Sequence, residues 1–256
     1  MVALRRPQTF MTQAKTQIPA NTSRLVRFLA DLGGADKAVS NKQFTERLGQ
    51  LFDLPDSIRL STVHGKRPAP VGGPPPISRE DLKAEFLRTR AAIISSAVRS
   101  FVPGGGTMRL RFPTVTPDLT LAQTMTAEPY LAFYAAQQRD IDFRIRNLHA
   151  STREAVAGFS QRLAQLAELD AALGDPLSNQ NRRFFAAVGQ VLGKRIESLL
   201  TEYRQSGADE PPDNVRWAQT LAQLRAELQS SLLAEIETRM LPTLGLIEAL
   251  DEQEDE

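Results

Sequence analysis

The chain has 256 residues, 41% hydrophobic and 24% charged, with no cysteine and a formal net charge of +1. That apolar content suffices for a packed core and excludes wholesale disorder, and the missing cysteine excludes a disulfide framework, a thiolate metal site and a cysteine nucleophile. No apolar run approaches the roughly 18 residues of a membrane span, and the start MVALRRPQTFMTQAKTQ lacks the continuous apolar stretch of a secretory signal.

Residues 1–18 therefore read as a flexible polar leader, and the chain as cytoplasmic. A first helix is expected from Thr22 or Ser23, with Leu25, Val26, Phe28, Leu29 and Leu32 on its apolar side and Gly33-Gly34 as its stop. Ser40 and Gln43 then have the spacing of a capping box, and Val39 and Phe44 that of a hydrophobic staple. The helix they start would bury Phe44, Leu48, Leu51 and Phe52 before Pro55, and a short turn or helix would carry Ile58, Leu60 and Val63. Residues 19–63 thus form a small N-terminal helical region. From His64 to Pro76 the sequence HGKRPAPVGGPPP cannot continue a helix, so residues 64–77 read as a linker, with docking into an aromatic groove as the lesser alternative.

Ser78 is an N-cap, and Glu80 and Asp81 stand in the first turn where the helix dipole favours acids. Leu82, Phe86, Ile93, Ile94, Val98 and Phe101 repeat at helical spacing, which predicts a helix over residues 78–102. Pro103 and Gly104-Gly105-Gly106 stop it. Residues 103–125 read as an irregular loop, with Met108, Leu110 and Phe112 alternating against Arg109 and Arg111 in a brief strand-like pattern that Pro113 and Pro117 limit.

Residues 126–250 predict a bundle of long helices. The first would start between Thr126 and Pro129 and run to Gly174, about 65–70 Å, with a bend near Gly158. Two seven-residue tracks mark a coiled-coil seam along it: Ile145, Thr152, Phe159, Leu166, Leu173 and Ile141, Leu148, Ala155, Arg162, Leu169. Gly174-Asp175-Pro176 would break it. A second helix would use Phe185, Val188, Leu192, Ile196, Leu199 and Tyr203. Past ADEPPD, a third would use Trp217, Leu221, Leu224, Leu228, Leu232, Ile236 and Met240, with a kink or interruption at Pro242. Residues 251–256 are an acidic tail. The expected fold is all-α: a small N-terminal helical region, then an elongated antiparallel bundle with coiled-coil character.

Chemistry is sparse. His64 and His149 are the only histidines and have no metal-ligand spacing, so His149 reads as a half-exposed bystander. The glycine run follows a helix and precedes no Lys-Ser or Lys-Thr, which excludes a P-loop. Asp140 and Asp142, like Glu235 and Glu237, stand two apart on a helix and face different ways, as solvated charges would. No catalytic, cofactor-binding or metal-binding residue is assigned, no cofactor is expected, and no small-molecule substrate is evident.

The charges are not evenly spread. Residues 1–125 carry +9 and residues 126–256 carry −8. Either the halves attract each other or each faces its own partner; the dispersal of both signs over amphipathic helices favours the first. The basic half, with Arg24, Arg27, Arg88, Arg99, Arg109 and Arg111, supports the alternative of a nucleic-acid-associated regulator, though it lacks a dense basic run.

Three stretches, SRLVRFLADLGGADKAVSNKQFTERLGQLFDLPDSIRLS, EFLRTRAAIISSAV and LLAEIETRMLPTLGLIEAL, resemble in order and spacing a proteobacterial helical family known only as a domain of unknown function. The resemblance implies genes that often neighbour a stator-like or TolQ-like proton channel and an outer-membrane-protein-A-like, peptidoglycan-binding protein. It implies a cytoplasmic accessory to a cell-envelope complex, and no catalytic residues. Together these readings point to a non-enzymatic scaffold or adaptor that binds protein partners or self-associates.

Overall fold

The computed structural model describes residues 24, 25, 27, 58, 61, 62, 65, 77–102, 105, 111–114, 121–205 and 214–252. The expected helix with the Ser40/Gln43 capping box lies outside them. The fold is all-α, with no strand among the described residues. Arg24, Leu25 and Arg27 are helical, as are Ile58, Ser61 and Thr62. Gly65 is helical too, so the expected linker does not begin cleanly at residue 64.

Helix α1, Arg79–Ser100, starts where the sequence marks it: Ser78 is extended, and its Oγ accepts the Asp81 N–H at 3.1 Å. Arg99 stands in the last turn, where a cation complements the exposed carbonyls. Beyond it the Gly105 N–H donates to the Val102 carbonyl at 2.9 Å, and a Cβ at Gly105 would press into the Arg99 carbonyl, so the stop requires glycine. The Phe112 N–H donates to the Ser100 carbonyl at 2.9 Å and ties residues 111–114 back over the helix end. Part of the segment expected to be irregular is the short helix α2, Leu121–Thr124.

Helix α3, Glu128–Ala157, is 30 residues long and begins with proline in its first turn. It does not continue to Gly174. Gly158 caps it, the Gly158 and Phe159 N–H groups bond Ala155 and Val156 carbonyls, and the Ser160 Oγ accepts the Leu163 N–H at 3.1 Å to start the next helix. That helix, α4 (Gln161–Gln205, 45 residues), runs through Gly174-Asp175-Pro176, where a break was expected. Proline inside a helix costs about 3 kcal/mol. Breaking α4 there would forfeit more, because it packs antiparallel on α3 along its length: Arg153 meets Asp170, the Gln138 amide meets the Phe185 carbonyl, and Leu131 lies against Gly193. The two seven-residue tracks are therefore cut. Ile141, Ile145, Leu148 and Thr152 are buried on α3, while Arg162 and Leu166 belong to the returning helix.

Helix α5, Asn214–Glu252 (39 residues), passes through Pro242 without interruption. It buries Trp217, Leu224, Leu228, Leu232, Ile236 and Met240. Tyr203 packs on Trp217 and Arg195 pairs with Glu227, so α4 and α5 are antiparallel. Against α3, α5 is parallel: Tyr134–Ser231, Gln138–Glu235 and Asp142–Arg239 all bond across 97 positions. Arg79 at the start of α1 reaches Phe159 past the end of α3 and the Leu250 carbonyl near the end of α5, so α1 opposes both. The result is an up-down-up-down bundle in which α3 and α5, the parallel pair, each touch both α1 and α4. Arg24 pairs with Glu237 at 3.0 Å and Lys83 with Asp251, so at these two points a cation of the first half meets an acid of the second.

Candidate functional site

The apolar stripes that build the bundle are interrupted in its middle by polar residues at four-residue spacing: Tyr134, Gln138 and Asp142 on α3, Ser231, Glu235 and Arg239 on α5. That spacing sets each trio on one helix face, and the parallel register sets the trios opposite each other. Glu235 is 0% exposed. Its carboxylate accepts the Tyr134 hydroxyl at 3.0 Å, the Gln138 amide at 2.9 Å and the Arg239 guanidinium at 2.8 Å. The Tyr134 hydroxyl also meets the Ser231 Oγ at 3.0 Å. Arg239 reaches the Asp142 carboxylate at 2.6 Å and stacks with its Cζ 3.6 Å from the Phe185 ring centroid. Burial first, then the Glu235 charge, holds the Tyr134 pKa well above its ordinary value. A charge removed from water is costly unless it is paired and hydrogen-bonded, and here Glu235 is both.

Nearer the α3–α4 turn, His149 takes Thr243 at 3.1 Å on Nδ1 and Asp170 at 2.8 Å on Nε2. Arg153 adds a contact to Asp170 at 3.4 Å. Burial would raise the Asp170 pKa, but the bond and charge of His149, then those of Arg153, prevail and hold it below the ordinary carboxylate value. Hydroxyl, imidazole and carboxylate in line have the outline of a nucleophilic triad. Thr243 is 0% exposed, however, so its hydroxyl meets no solvent from which a substrate could approach. The set braces α3, α4 and α5 together.

Toward the opposite end, Arg195 holds Glu227 through two bonds of 3.0 and 2.9 Å, and Gln223 adds a third at 3.0 Å. Burial raises the Glu227 pKa, yet the Arg195 and Gln223 bonds win and lower it. Past this pair lies a cluster of Phe101, Phe112, Tyr130 and Phe133, with ring centroids 5.0–5.9 Å apart. The Tyr130 hydroxyl donates to the Thr124 carbonyl at 2.8 Å. Arg225 lies 5.0 Å from the Phe112 centroid, and its buried Nε has no hydrogen-bond partner.

Several sequence expectations change in this light. Asp140 and Asp142 do point apart, to Arg144 and to Arg146 with Arg239. Glu237 is a surface residue paired with Arg24, but Glu235 is no solvated charge: it is the centre of the buried network. His149 is held on both ring nitrogens by contacts within the bundle. A signal was present, since Ser231 and Glu235 break the Leu228, Leu232, Ile236 stripe at the spacing of Tyr134, Gln138 and Asp142. Their meeting depends on a register that one helix alone does not encode. His64 and Arg109 lie outside the described residues. Among the described residues no group of three or more His, Asp or Glu could hold a metal, and no helix is long and apolar enough to cross a membrane.

Among curated proteins and solved structures, none matches the chain. The family described as protein of unknown function (DUF3348) matches residues 11–252, and the chain belongs to that family.

Proposed function

We propose that the protein is a non-enzymatic helical scaffold or adaptor, working in the cytoplasm without a cofactor and binding protein partners or further copies of itself. The observation that carries this reading is the contrast between interior and surface. Inside, Glu235, Arg239, His149 and Asp170 are spent on contacts within the bundle. Outside, large apolar side chains stand on the helices: Phe143 is 61% exposed, Leu87 57% and Leu241 55%. A rod whose longest helix spans about 68 Å offers partners long faces. An accessory role at a cell-envelope proton-channel complex, the role the family resemblance implies, is the first partner class to test.

The test is affinity purification of the tagged protein from its own cells with membranes solubilised. Recovery of channel or peptidoglycan-binding subunits supports the reading; recovery of no protein partner, together with a full chain that stays monomeric in solution, sinks it. The nucleic-acid alternative draws less support, because Arg24 and Lys83 engage Glu237 and Asp251 of the same chain. Tight retention on duplex DNA with a steep salt dependence would promote it instead.

A further inference from the structure

We propose that the bundle end around Arg225 is a seat for carboxylates, and that its occupant is the acidic end of α5 from a second copy, so that copies join end to end. The proposal rests on the scaffold reading and gives that scaffold a geometry.

Arg225 is the first observation. Arg195, Arg239, Arg144, Arg146 and Arg153 all meet carboxylates. Among the described residues none pairs with Arg225, which lies over the Phe112 ring with its buried Nε unmatched. A half-buried guanidinium offers a planar fork that fits a carboxylate, and leaving a buried donor unmatched is costly. The bond from the Phe112 N–H to the Ser100 carbonyl brings the neighbours Arg111 and Arg99 to the same end, both exposed and without an acid among the described residues.

The second observation lies at the other end of the rod. Glu248 and Glu252 are exposed, stand four positions apart on α5 and meet no cation among the described residues. Like charges at that spacing repel, and acids in a last turn oppose the helix dipole, where α5 has no basic residue. Asp251 stands between them in sequence. The acidic end thus carries charge that its own helix disfavours, and the two ends have opposite signs. Arg225 and Glu252 are separated by about 40 Å along one helix, so Glu248 and Glu252 cannot reach the seat in their own copy. A contact between unlike ends is heterologous and propagates.

The test uses the full chain. At about 10 mM salt, where screening extends to about 30 Å, sedimentation should show mass rising with protein concentration, and at about 1 M salt a monomer. Arg225→Gln alone, and Glu248→Gln/Glu252→Gln alone, should each stay monomeric at low salt. Mixed, they keep one working seat and one working acidic end, so they should form a species of about twice the monomer mass and no larger. If Arg225→Gln loses helicity by circular dichroism, the exposed pair Arg99→Gln/Arg111→Gln takes its place. A wild type that stays monomeric at low salt, or variants that assemble like it, overturns the proposal. Such a wild type that still retrieves protein partners from cells leaves the scaffold reading standing.

Discussion

At the middle of the bundle Glu235 is fully shut away from water, whereas nearer the α3–α4 turn His149 and Asp170 keep 22% and 20% of their side chains exposed. Both regions use a carboxylate, a cation-capable group and a hydroxyl: near the turn these join α3, α4 and α5, and in the middle they join α3 to α5, with α4 reached through Phe185. Burial sets what each is worth. In the middle, no water can replace a lost partner, so the network enforces one register of α3 against α5. Near the turn, water can enter, and the brace is weaker and open to pH.

Breaking the middle should therefore give the largest effect. Arg239→Ala leaves the buried Glu235 without its cation, and should cost about 3–5 kcal/mol by denaturant unfolding. The paired change Glu235→Leu/Arg239→Met removes both charges and should recover most of that loss. A single-variant cost under about 1 kcal/mol would mean that water reaches Glu235 after all.

The brace comes next. Asp170→Asn keeps the shape but weakens the bonds to His149 and Arg153, and should cost about 1–2 kcal/mol near neutral pH. Its pH dependence has a definite sign. The folded-state pKa of Asp170 lies below its ordinary value, so its contribution is present above the unfolded pKa of about 4 and fades as pH falls through the folded value. The stability gap between wild type and Asp170→Asn should then shrink as pH drops below about 4. A gap that instead widens with acid would reverse the assignment.

The smallest effect tests the α4 path on which both regions depend. Gly174 is helical and exposed, and a Cβ there would meet nothing within 4 Å. Gly174→Ala should raise stability by about 0.5–1 kcal/mol, as alanine does in an exposed helix interior. A loss of stability would argue for a turn at residues 174–176.

Local signals are legible in the sequence where one residue decides the outcome. Ser78 with Asp81 needs only its own neighbours to start α1, and a glycine run next to a helix end needs only local crowding to stop it. Signals that compete over distance are less legible. Gly158 and Gly174-Asp175-Pro176 both look like breaks, and the sequence assigned the stronger one to proline. The bond of Ser160 to Leu163 and the long antiparallel packing of α4 on α3 decide for Gly158.

The amino-acid order by itself determined that the chain is helical, where α1 begins, and which residues of α5 form its apolar face, because capping and the 3.6-residue period act within one segment. Only the tertiary structure decided that α3 turns back after Ala157, that α3 and α5 run parallel, and that Glu235 is buried against Arg239 while Glu237 stays at the surface. Those outcomes rest on contacts across up to 97 positions, and burying a carboxylate is tolerable only when a distant helix delivers its partners in register.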